Sequence, residues 1–351
     1  MHIARSVHPL PGEAECEARL LSLLDAFPGR RVAVIGDVIA DEFIYGRVAR
    51  VSREAPVLIL QYDATEVLPG GAGNAANNVS ALGARTHLVG LAGRDEAGKR
   101  LFARFRRINT KGLLRPSGYQ TPVKTRILAG GVHTAKQQIV RIDRVASTEY
   151  DAKTQTGFAR AALKAAGECD AILLSDYGTG LVTPQLASAL SRKAAARSRR
   201  RAVPILVDSR YDLLRYRGLT ACTPNESEVE QMLDIRIGEN VRVLERAGRE
   251  LLKRTRMRAV LITRGSRGMA LFEAGQPTVH IPIFGSDEVA DVTGAGDTVI
   301  ATMTLAMAAG GSFYEAARLA NYAGGIVVMK RGTATVSPLE LREAIRSATE
   351  R

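Results

Sequence analysis

Short apolar runs rich in β-branched residues recur along the chain, and stretches with helical periodicity separate most of them. The apolar runs cover residues 31–37, 87–91, 171–175, 204–208, 221–223 and 259–263. Runs of this length and composition are typical of strands buried on both faces of a parallel sheet. The intervening stretches, such as 151–167 and 183–197, are rich in Ala, Leu and Arg and predict helices. This alternation predicts an α/β fold with a mostly parallel central sheet and helices on both faces.

Two segments depart from this alternation of strands and helices. Residues 45–62 and 121–143 alternate apolar and polar side chains, and Gly130-Gly131 predicts a turn inside the second segment. Such alternation is typical of antiparallel strands with one exposed face. We therefore expect a small β-sheet lid, with strands at about 41–66 and 119–145, over the sheet edge where α/β folds bind ligands. Exposed lid strands favour pairing with a second copy, so we expect a homodimer through the lid.

The first 30 residues form a polar lead-in followed by a short amphipathic helix, predicted at 14–27 and ended by Pro28-Gly29. We expect residues 1–30 to be an N-terminal extension of one α/β domain that spans residues 31–346. A length of 351 residues favours one such domain with an elaboration.

Composition narrows the class of protein. Hydrophobic residues make up 46% and charged residues 24% of the chain, which is usual for a globular protein with a large core. A long uncharged stretch, 298–314, is interrupted by two glycines and is too short to span a bilayer, and no apolar signal region follows the first basic residues. We therefore expect a cytoplasmic protein that does not associate with membranes. Three distant cysteines, and five histidines without metal-type spacing, argue against a disulfide framework or a zinc site.

The charge balance is basic. Lys and Arg number 49 against 36 Asp and Glu, which gives a formal net charge of +13. This excess favours an anionic partner, such as a phosphorylated metabolite, a nucleic acid or a membrane surface. Two Arg-rich segments, 94–107 and 192–201, mix Ala with Arg as solvated helix faces do. Because the chain has no Trp to stack on bases, we expect no specific nucleic-acid binding.

The strongest chemical signal is the string Asp-Val-Thr-Gly-Ala-Gly-Asp at 291–297, which precedes an uncharged helix. The small residues Gly294, Ala295 and Gly296 let the backbone approach a ligand closely, and free amides at a helix start bind an anion. Asp297, in the first turn of that helix, can accept a proton from a hydroxyl group. An amide pocket beside a base predicts phosphoryl transfer to an alcohol.

A second group of candidate residues lies nearer the N-terminus. Asp37 and Asp41 follow the first strand, where paired carboxylates can hold sugar hydroxyls. Residues 69–77 predict a glycine loop that opens a helix, with Asn74 and Asn77 on nearly one face. Taken alone, this loop resembles a dinucleotide-binding fingerprint. That motif should directly follow the first strand of the sheet, however, and here the first strand ends at residues 36–37.

A further glycine loop, at 93–100, imitates a phosphate-binding P-loop. Arg100 occupies the position where that motif has its magnesium-binding Ser or Thr. We therefore assign this segment to a turn and a basic helix.

In this order, the motifs resemble the ribokinase-like (PfkB) family of carbohydrate kinases over residues 31–346. Both family signatures are present, Gly-Gly-Ala-Gly-Asn at 70–74 and Asp-Val-Thr-Gly-Ala-Gly-Asp at 291–297. Within the family, the chain is most similar to kinases of the bacterial ADP-heptose pathway, which supplies lipopolysaccharide core precursors. These kinases phosphorylate D-glycero-β-D-manno-heptose 7-phosphate at O1. The closer similarity lies at 52–57, 174–177, 216–218, 223–228, 293–300 and 332–338.

The resemblance implies ATP and Mg²⁺ as cofactors, with K⁺ as a further candidate, and a role for each motif. Asp297 would be the catalytic base, and the amides of Gly294, Ala295 and Gly296 would stabilise the transferring phosphoryl group. The residues implied to bind the nucleotide are Asn225, Glu228 (which would reach Mg²⁺ through water), Thr263, Arg264, Gly265 and Gly268. The residues implied to bind the sugar or its phosphate are Asp37, Asp41, Gly70, Gly71, Asn74, Asn77, Lys124, Arg126 and Arg141. The residues implied to border a monovalent cation are Asp291, Thr293, Gly332 and Ser337.

The chain departs from the heptose kinase pattern at two places. Gly178-Thr179 stands where these kinases carry a Lys after Ser-Asp-Tyr, and Asp208-Ser209-Arg210 stands where the usual sequence is Asp-Pro-Lys. A cation near the phosphate path would then come from Arg210 or Arg264.

Bifunctional relatives append a nucleotidyltransferase domain with a His-x-Gly-His signature, and no histidine follows His280 here. We therefore expect a stand-alone kinase that converts ATP and heptose 7-phosphate to ADP and heptose 1,7-bisphosphate. Two alternatives stay open at this point. One is a PfkB-type kinase for another sugar or sugar phosphate. The other is a catalytically silent nucleic-acid-binding or regulatory protein with a kinase fold.

Overall fold

The computed structural model describes residues 13–130, 136–145, 149–197, 202–285 and 291–349, so Gly131 of the predicted lid turn lies outside the described residues. The strands formed by the described residues are β1 (Arg31–Gly36), β2 (Val38–Val51), β3 (Leu58–Gly71), β4 (Arg85–Leu91), β5 (Ile108–Leu114), β6 (Val123–Gly130), β7 (Gln137–Arg144), β8 (Ala171–Asp176), β9 (Ile205–Ser209), β10 (Ala221–Cys222), β11 (Ala259–Thr263), β12 (Met269–Glu273) and β13 (Val279–Ile281). The helices are α1 (Glu13–Asp25), α2 (Ala72–Ala81), α3 (Glu96–Arg104), α4 (Ala152–Glu168), α5 (Pro184–Arg197), α6 (Glu226–Leu233), α7 (Val241–Thr255), α8 (Ala295–Ala309), α9 (Phe313–Val327) and α10 (Pro338–Thr349).

The apolar runs form the predicted main sheet. Within the described residues, nine strands pair in the order β13-β12-β11-β10-β9-β8-β1-β4-β5. Pairing is parallel from β5 across to β11, and β12 and β13 add antiparallel strands at one edge. Val34 of β1 is in register with Leu88 of β4 and Leu173 of β8. The prediction of a mostly parallel sheet is therefore confirmed.

Helices cover both faces of this sheet, as predicted. Val32 and Val34 of β1 pack with α1, α2, α8, α9 and α10 on one face. Ala33 and Ile35 pack with α4, α5 and α7 on the other. Successive side chains of a strand point to opposite faces, so a continuous apolar run supplies both cores at once.

Helix α8 is uncharged beyond its first turn because it is buried on every side. Each residue from Asp297 to Ala308 is buried, against α2, α9 and strand β8 among others. A helix that is apolar all round is typical of the interior of a large domain. Tight packing therefore fixes the first turn of α8, where the candidate base lies. No helix formed by the described residues is long and apolar enough to cross a membrane.

Helix α1, predicted as part of an N-terminal extension, packs against α8, α9 and α10. Its Leu20 and Leu23, and the following Phe27, are buried in the same apolar core as the helices of the main domain. The described part of this segment therefore contributes to the core of the main domain.

Four described strands form a separate lid sheet in the order β3-β2-β6-β7. β2 with β3 and β6 with β7 are antiparallel pairs, as predicted, but β2 and β6 pair in parallel. The parallel junction between the two hairpins was not predicted, and it arises because β2 and β6 both leave the carboxyl edge of the main sheet in the same direction. β7 is exposed along its whole length.

Candidate active site

A pocket of about 370 Å³ lies between the lid and the carboxyl edge of the main sheet. Its walls come from the start of α8, from the loops after β9, β10 and β11, and from lid strand β6. Parallel α/β sheets place ligand sites at this edge because the loops that follow the strands converge there. The pocket is therefore the candidate active site.

Asp297 lines the pocket and is 4% exposed. Its Oδ2 accepts a hydrogen bond from Asn74 Nδ2 at 2.9 Å, and its Oδ1 accepts one from the Tyr177 hydroxyl at 3.1 Å. Burial raises the pKa of Asp297 to about 7, although these two hydrogen bonds and Lys124 act in the opposite direction. A carboxyl group with a pKa near 7 is suited to general-base catalysis near neutral pH.

The turn before Asp297 is shaped by glycine. Gly294 has φ 78° and caps the N-terminus of α8, and a Cβ at this position would lie 2.4 Å from Asn74 Nδ2. The first amide to bond within the helix is that of Thr298, which donates to the Gly294 carbonyl oxygen at 3.1 Å. In the described chain, the amides of Gly296 and Asp297 donate to no protein acceptor. Free amides at the N-terminus of a fifteen-residue helix form a site for an anion.

Asn74 is fully buried on α2, and Asn78, one turn later, donates from its side chain to Asn74 Oδ1 at 3.2 Å. This contact fixes the Asn74 amide so that its nitrogen donates to Asp297. Asn77, the residue predicted to share this face, is half-buried and does not line the pocket. Helix α2 therefore supports Asp297, the candidate base, through Asn74 and Asn78.

The two N-terminal carboxylates lie in different environments. Asp37 is buried beneath the pocket, where it accepts hydrogen bonds from the Tyr177 amide at 2.7 Å and the Thr179 hydroxyl at 2.5 Å, and burial raises its pKa to about 6. Asp41 lines the pocket from the lid strand β2 and pairs with Arg126 at 2.6 Å. Of the two, Asp41 is presented to a ligand.

Gly70 and Gly71 allow these elements to approach each other closely. A Cβ on Gly70 would lie 2.2 Å from Asp41 Oδ2. Gly71 lines the pocket with φ 55°, and its Cβ would lie 2.5 Å from the Asp37 carbonyl oxygen. A larger residue at either position would displace a pocket carboxylate or the backbone that carries it.

The three basic lid residues predicted to contact a phosphate all line the pocket: Lys124, Arg126 and Arg141. Lys124 lies over the Tyr177 ring, with Nζ 4.4 Å from the ring centroid, and burial lowers its pKa. Arg141 is partly exposed and pairs with Asp143 at 2.9 Å. The pocket therefore has a cationic side formed by the lid.

The predicted Asn-x-x-Glu motif forms the N-terminal cap of α6. Asn225 Oδ1 accepts from the Glu228 amide, and Glu228 Oε2 accepts from the Asn225 amide, each at 2.9 Å. Both residues also line the pocket, and burial raises the pKa of Glu228. The capping box therefore holds a carboxylate at the pocket wall in a fixed orientation.

The turn after β11 contains the other predicted nucleotide-side residues. Thr263 lines the pocket, and Gly268, with φ 74°, leaves no room for a Cβ, which would lie 2.1 Å from the Ile281 carbonyl oxygen. Gly265 also has a positive φ, of 57°. Arg264 does not line the pocket, because its side chain is 8% exposed and pairs with Glu226 at 2.9 Å. Arg264 therefore does not supply the cation expected near the phosphate path.

Three of the residues predicted to border a monovalent cation are joined by hydrogen bonds, and the fourth bonds elsewhere. Asp291 accepts hydrogen bonds from the amides of Thr293 at 2.9 Å and Gly332 at 3.0 Å, which joins these two loops. Ser337 instead donates its hydroxyl to Glu340 at 2.8 Å in the first turn of α10. Lys330 already places an ammonium group on this loop, 2.7 Å from the Thr335 carbonyl oxygen.

No role was predicted for several pocket residues. Tyr177 follows β8, Asp208 lies at the end of β9, and Thr223 follows β10. Each could have been found from its place at the carboxyl end of a predicted parallel strand. Arg210, named above as one source of the cation, is exposed in the pocket, and its side chain makes no ion pair in the described structure.

Comparisons with known proteins agree with this geometry. A model of the pfkB family of carbohydrate kinases matches residues 30–340. The chain is 43% identical over 315 residues to the bifunctional protein HldE of Geobacter metallireducens, covering 88% of this chain and 61% of that protein. It is 41% identical over 330 residues to the bifunctional protein HldE of Aeromonas hydrophila, covering 93% of this chain and 66% of that protein. The chain thus spans less than two thirds of the length of these relatives.

Solved structures show the same fold at low sequence identity. Ribokinase from Arabidopsis thaliana, complexed with ribose and ATP, superposes with a TM-score of 0.67 at 19% identity, covering 92% of this chain and 99% of that chain. Phosphofructokinase-2 from Escherichia coli, in complex with potassium, gives a TM-score of 0.69 at 16% identity with the same coverage. The predicted ribokinase-like fold is confirmed.

Proposed function

Because the chain belongs to the pfkB family of carbohydrate kinases and is therefore an ATP-dependent sugar kinase, we propose that its acceptor is D-glycero-β-D-manno-heptose 7-phosphate. The phosphoryl group is transferred to O1, and the products are heptose 1,7-bisphosphate and ADP. The observation that carries this proposal is a pocket in which Asp297 and four basic side chains come together, Lys124, Arg126, Arg141 and Arg210. Asp41, Asp208 and Glu228 also line this pocket, but its lid side has three basic residues against Asp41 alone, which suits an acceptor that is itself phosphorylated.

In the proposed reaction, Asp297 accepts the proton of the O1 hydroxyl as the oxygen attacks the γ-phosphorus of ATP. The bond between that phosphorus and the β,γ-bridging oxygen breaks, and ADP leaves. The free amides of Gly296 and Asp297 stabilise the charge on the transferring group, since they need no reorganisation to do so. Asn74 and Tyr177 keep the carboxylate oriented while the proton moves.

The carboxylates of Glu228 and Asp208 are suited to a divalent cation. Both line the pocket, burial raises the pKa of each, and the charge of Glu228 raises the pKa of Asp208 further. A divalent cation offsets such repulsion, and Mg²⁺ prefers carboxylate and water oxygens. We propose that Glu228, through water, and Asp208 hold Mg²⁺, which when bound neutralises charge on the ATP phosphates.

The four basic residues lie in two groups, and each group can contact one of the two phosphate-bearing ligands. Lys124, Arg126 and Arg141 project from the lid, whereas Arg210 follows β9 near Asp208 and Glu228. We propose that the lid residues receive the 7-phosphate of the acceptor. Arg210 is proposed to receive the phosphates of ATP, in place of the Lys that heptose kinases carry at this position. Charge-assisted contacts of this kind contribute about 1.5–3 kcal/mol each.

We also propose a homodimer through the lid. Val51 on β2, Leu58 and Tyr62 on β3, and Ile142 on β7 are exposed apolar residues on the lid strands. Exposed apolar side chains on an edge-bearing sheet favour pairing with another chain. Light scattering coupled to size exclusion is expected to give twice the mass of the chain, and Tyr62→Lys is expected to reduce that mass to one chain. A monomeric wild-type protein would contradict this part of the proposal.

A panel of acceptors tests the substrate. Fructose 6-phosphate is included because it also carries a phosphate and so tests recognition of the sugar separately from the charge. We expect ADP release with heptose 7-phosphate to give a kcat/KM about 10²-fold above that with unphosphorylated heptose or ribose, since those sugars lack two or more charged contacts. Arg141→Gln is expected to remove most of this preference. Arg47→Gln is a matched control, because Arg47 lies on the same lid but pairs with Asp63 outside the pocket. Preference for an unphosphorylated sugar, or for fructose 6-phosphate, would favour a different acceptor within the family.

A further inference from the structure

Tyr177 contacts the candidate base directly from a position between the main sheet and the lid. It follows the last residue of β8 and lines the pocket. Its hydroxyl lies 3.1 Å from Asp297 Oδ1, on the opposite carboxylate oxygen from the Asn74 contact. The carboxylate is therefore held at both oxygens, by an amide from α2 and a phenol from the loop after β8.

Hydrogen bonds to two buried carboxylates fix the loop that carries Tyr177. The Tyr177 amide donates to Asp37 Oδ2 at 2.7 Å, and the Thr179 hydroxyl donates to Asp37 Oδ1 at 2.5 Å. Gly178 donates its amide to Asp176 Oδ1 at 3.0 Å. Asp37 thus spans the segment that carries the tyrosine, and Thr179 occupies the position where heptose kinases place a Lys. The orientation of the phenol is set by this buried carboxylate.

The ring of Tyr177 is held on two sides. Lys124 of lid strand β6 places its ammonium 4.4 Å from the ring centroid. A Cβ on Gly71 would lie 3.3 Å from Cε2 of the ring, so the loop before α2 fits against it. Cations over aromatic faces are attracted to the negative face of the ring. The same side chain therefore contacts both the lid cation and the base.

We propose that Tyr177 is a positioning residue for the phosphoryl transfer. Its hydroxyl orients Asp297 Oδ1 and stabilises the ionised carboxylate, while its ring supports Lys124 at the acceptor's phosphate. This inference rests on the proposed function, since it takes Asp297 as the base and Lys124 as a contact to the acceptor.

The protonation states agree with this role. Burial and neighbouring carboxylates raise the pKa of Tyr177 well above its ordinary value, so the phenol keeps its proton and acts as a donor. A hydrogen bond donated to a carboxylate favours its charged form and so lowers the pKa of Asp297. Removing the hydroxyl raises that pKa, and the base is then ionised only at higher pH.

Two substitutions separate the roles of hydroxyl and ring. Tyr177→Phe removes the hydroxyl and keeps the ring, so we expect the acidic limb of kcat/KM to move up by about one pH unit or more. The value of kcat at pH 7 should fall about tenfold and recover near pH 9, with the acceptor KM within about threefold of wild type. Tyr177→Leu also removes the ring, and we expect the same shift together with an acceptor KM raised about tenfold.

Tyr216→Phe is the matched control. It also deletes one phenolic oxygen from a buried tyrosine, whose hydroxyl donates to Asp176 Oδ2 at 2.7 Å and not to Asp297. We expect a lower melting temperature for this variant, with the acidic limb unmoved. An unmoved limb and wild-type kcat in folded Tyr177→Phe would overturn the positioning role. If Tyr177→Phe gives that result while Asp297→Asn abolishes turnover, the positioning role of Tyr177 is wrong and the proposed function stands. If Asp297→Asn turns over normally, the proposed base itself is wrong.

Discussion

Replacing Gly294 by Ala perturbs the turn that carries the anion-binding amides. Gly294 has φ 78° and ψ 5°, a left-handed conformation that costs other residues roughly 1–2 kcal/mol. An added Cβ would lie 2.4 Å from Nδ2 of Asn74 and 3.3 Å from Cγ2 of Thr333. The first distance is far inside van der Waals contact, so the amide of Asn74 must move.

Moving Asn74 breaks its hydrogen bond to Asp297, the proposed base. Its Nδ2 donates to Asp297 Oδ2 at 2.9 Å and to the Gly294 carbonyl oxygen at 3.3 Å. A hydrogen bond to a charged group contributes about 1.5–3 kcal/mol. We therefore expect Gly294→Ala to lower the free energy of unfolding by about 2.5–5 kcal/mol. The value of kcat at pH 7 should fall at least about tenfold, because the pKa of Asp297 rises further.

Urea unfolding and steady-state kinetics measure the two effects. Gly296→Ala is the control for stability, because a Cβ on Gly296 meets no heavy atom within 4 Å and its φ is not positive. Alanine is the better helix former by up to about 1 kcal/mol, so this variant should be as stable as wild type or more stable. The reasoning is refuted if both variants unfold within about 0.5 kcal/mol of each other and Gly294→Ala retains wild-type kcat.

Three further outcomes are expected. Since the base must be ionised and burial raises the pKa of Asp297 to about 7, kcat/KM should rise with pH through about 7 and level off above about pH 8; a profile flat down to about pH 5.5 would contradict the assignment. Asp208→Asn should raise the Mg²⁺ concentration for half-maximal activity about tenfold or more, and an unchanged Mg²⁺ titration would exclude it as a ligand. Glu226→Gln should lower the free energy of unfolding, measured with urea, by about 3–5 kcal/mol, because it leaves the buried Arg264 unpaired. Arg267→Gln removes the more exposed partner of Glu226 and should lower the free energy of unfolding much less.

Sequence patterns predicted the parts of the fold whose causes are local. A strand buried on both faces must be apolar at every position, so β1, β8, β9 and β11 appear as continuous runs. Gly294 and Asp297 were identified because the string at 291–297 places small residues and an acid directly at the start of an uncharged helix. These features depend on neighbours in the chain, which the sequence displays directly.

Features that depend on distant partners were not predicted. The parallel pairing of β2 with β6 arises from the direction in which two separate loops leave the main sheet. Asn77 and Asn78 both lie near the face of Asn74 by helical spacing, and only the packed structure shows that Asn78 makes the contact. Arg264 was a reasonable phosphate ligand until its buried pair with Glu226 was known. Tyr177 lies in the segment 174–177 that resembles heptose kinases, but its contact with Asp297 was not predicted because the two residues are 120 positions apart.

Turnover by Asp297→Asn tests the central claim most directly. The substitution keeps the size of the side chain and removes the proton acceptor at the mouth of the amide pocket, so we expect kcat with heptose 7-phosphate to fall about 10²- to 10⁴-fold. ATP binding, measured by calorimetry, should stay within about threefold of wild type, since the amides that face the phosphates remain. A kcat within about tenfold of wild type in this variant would contradict the account.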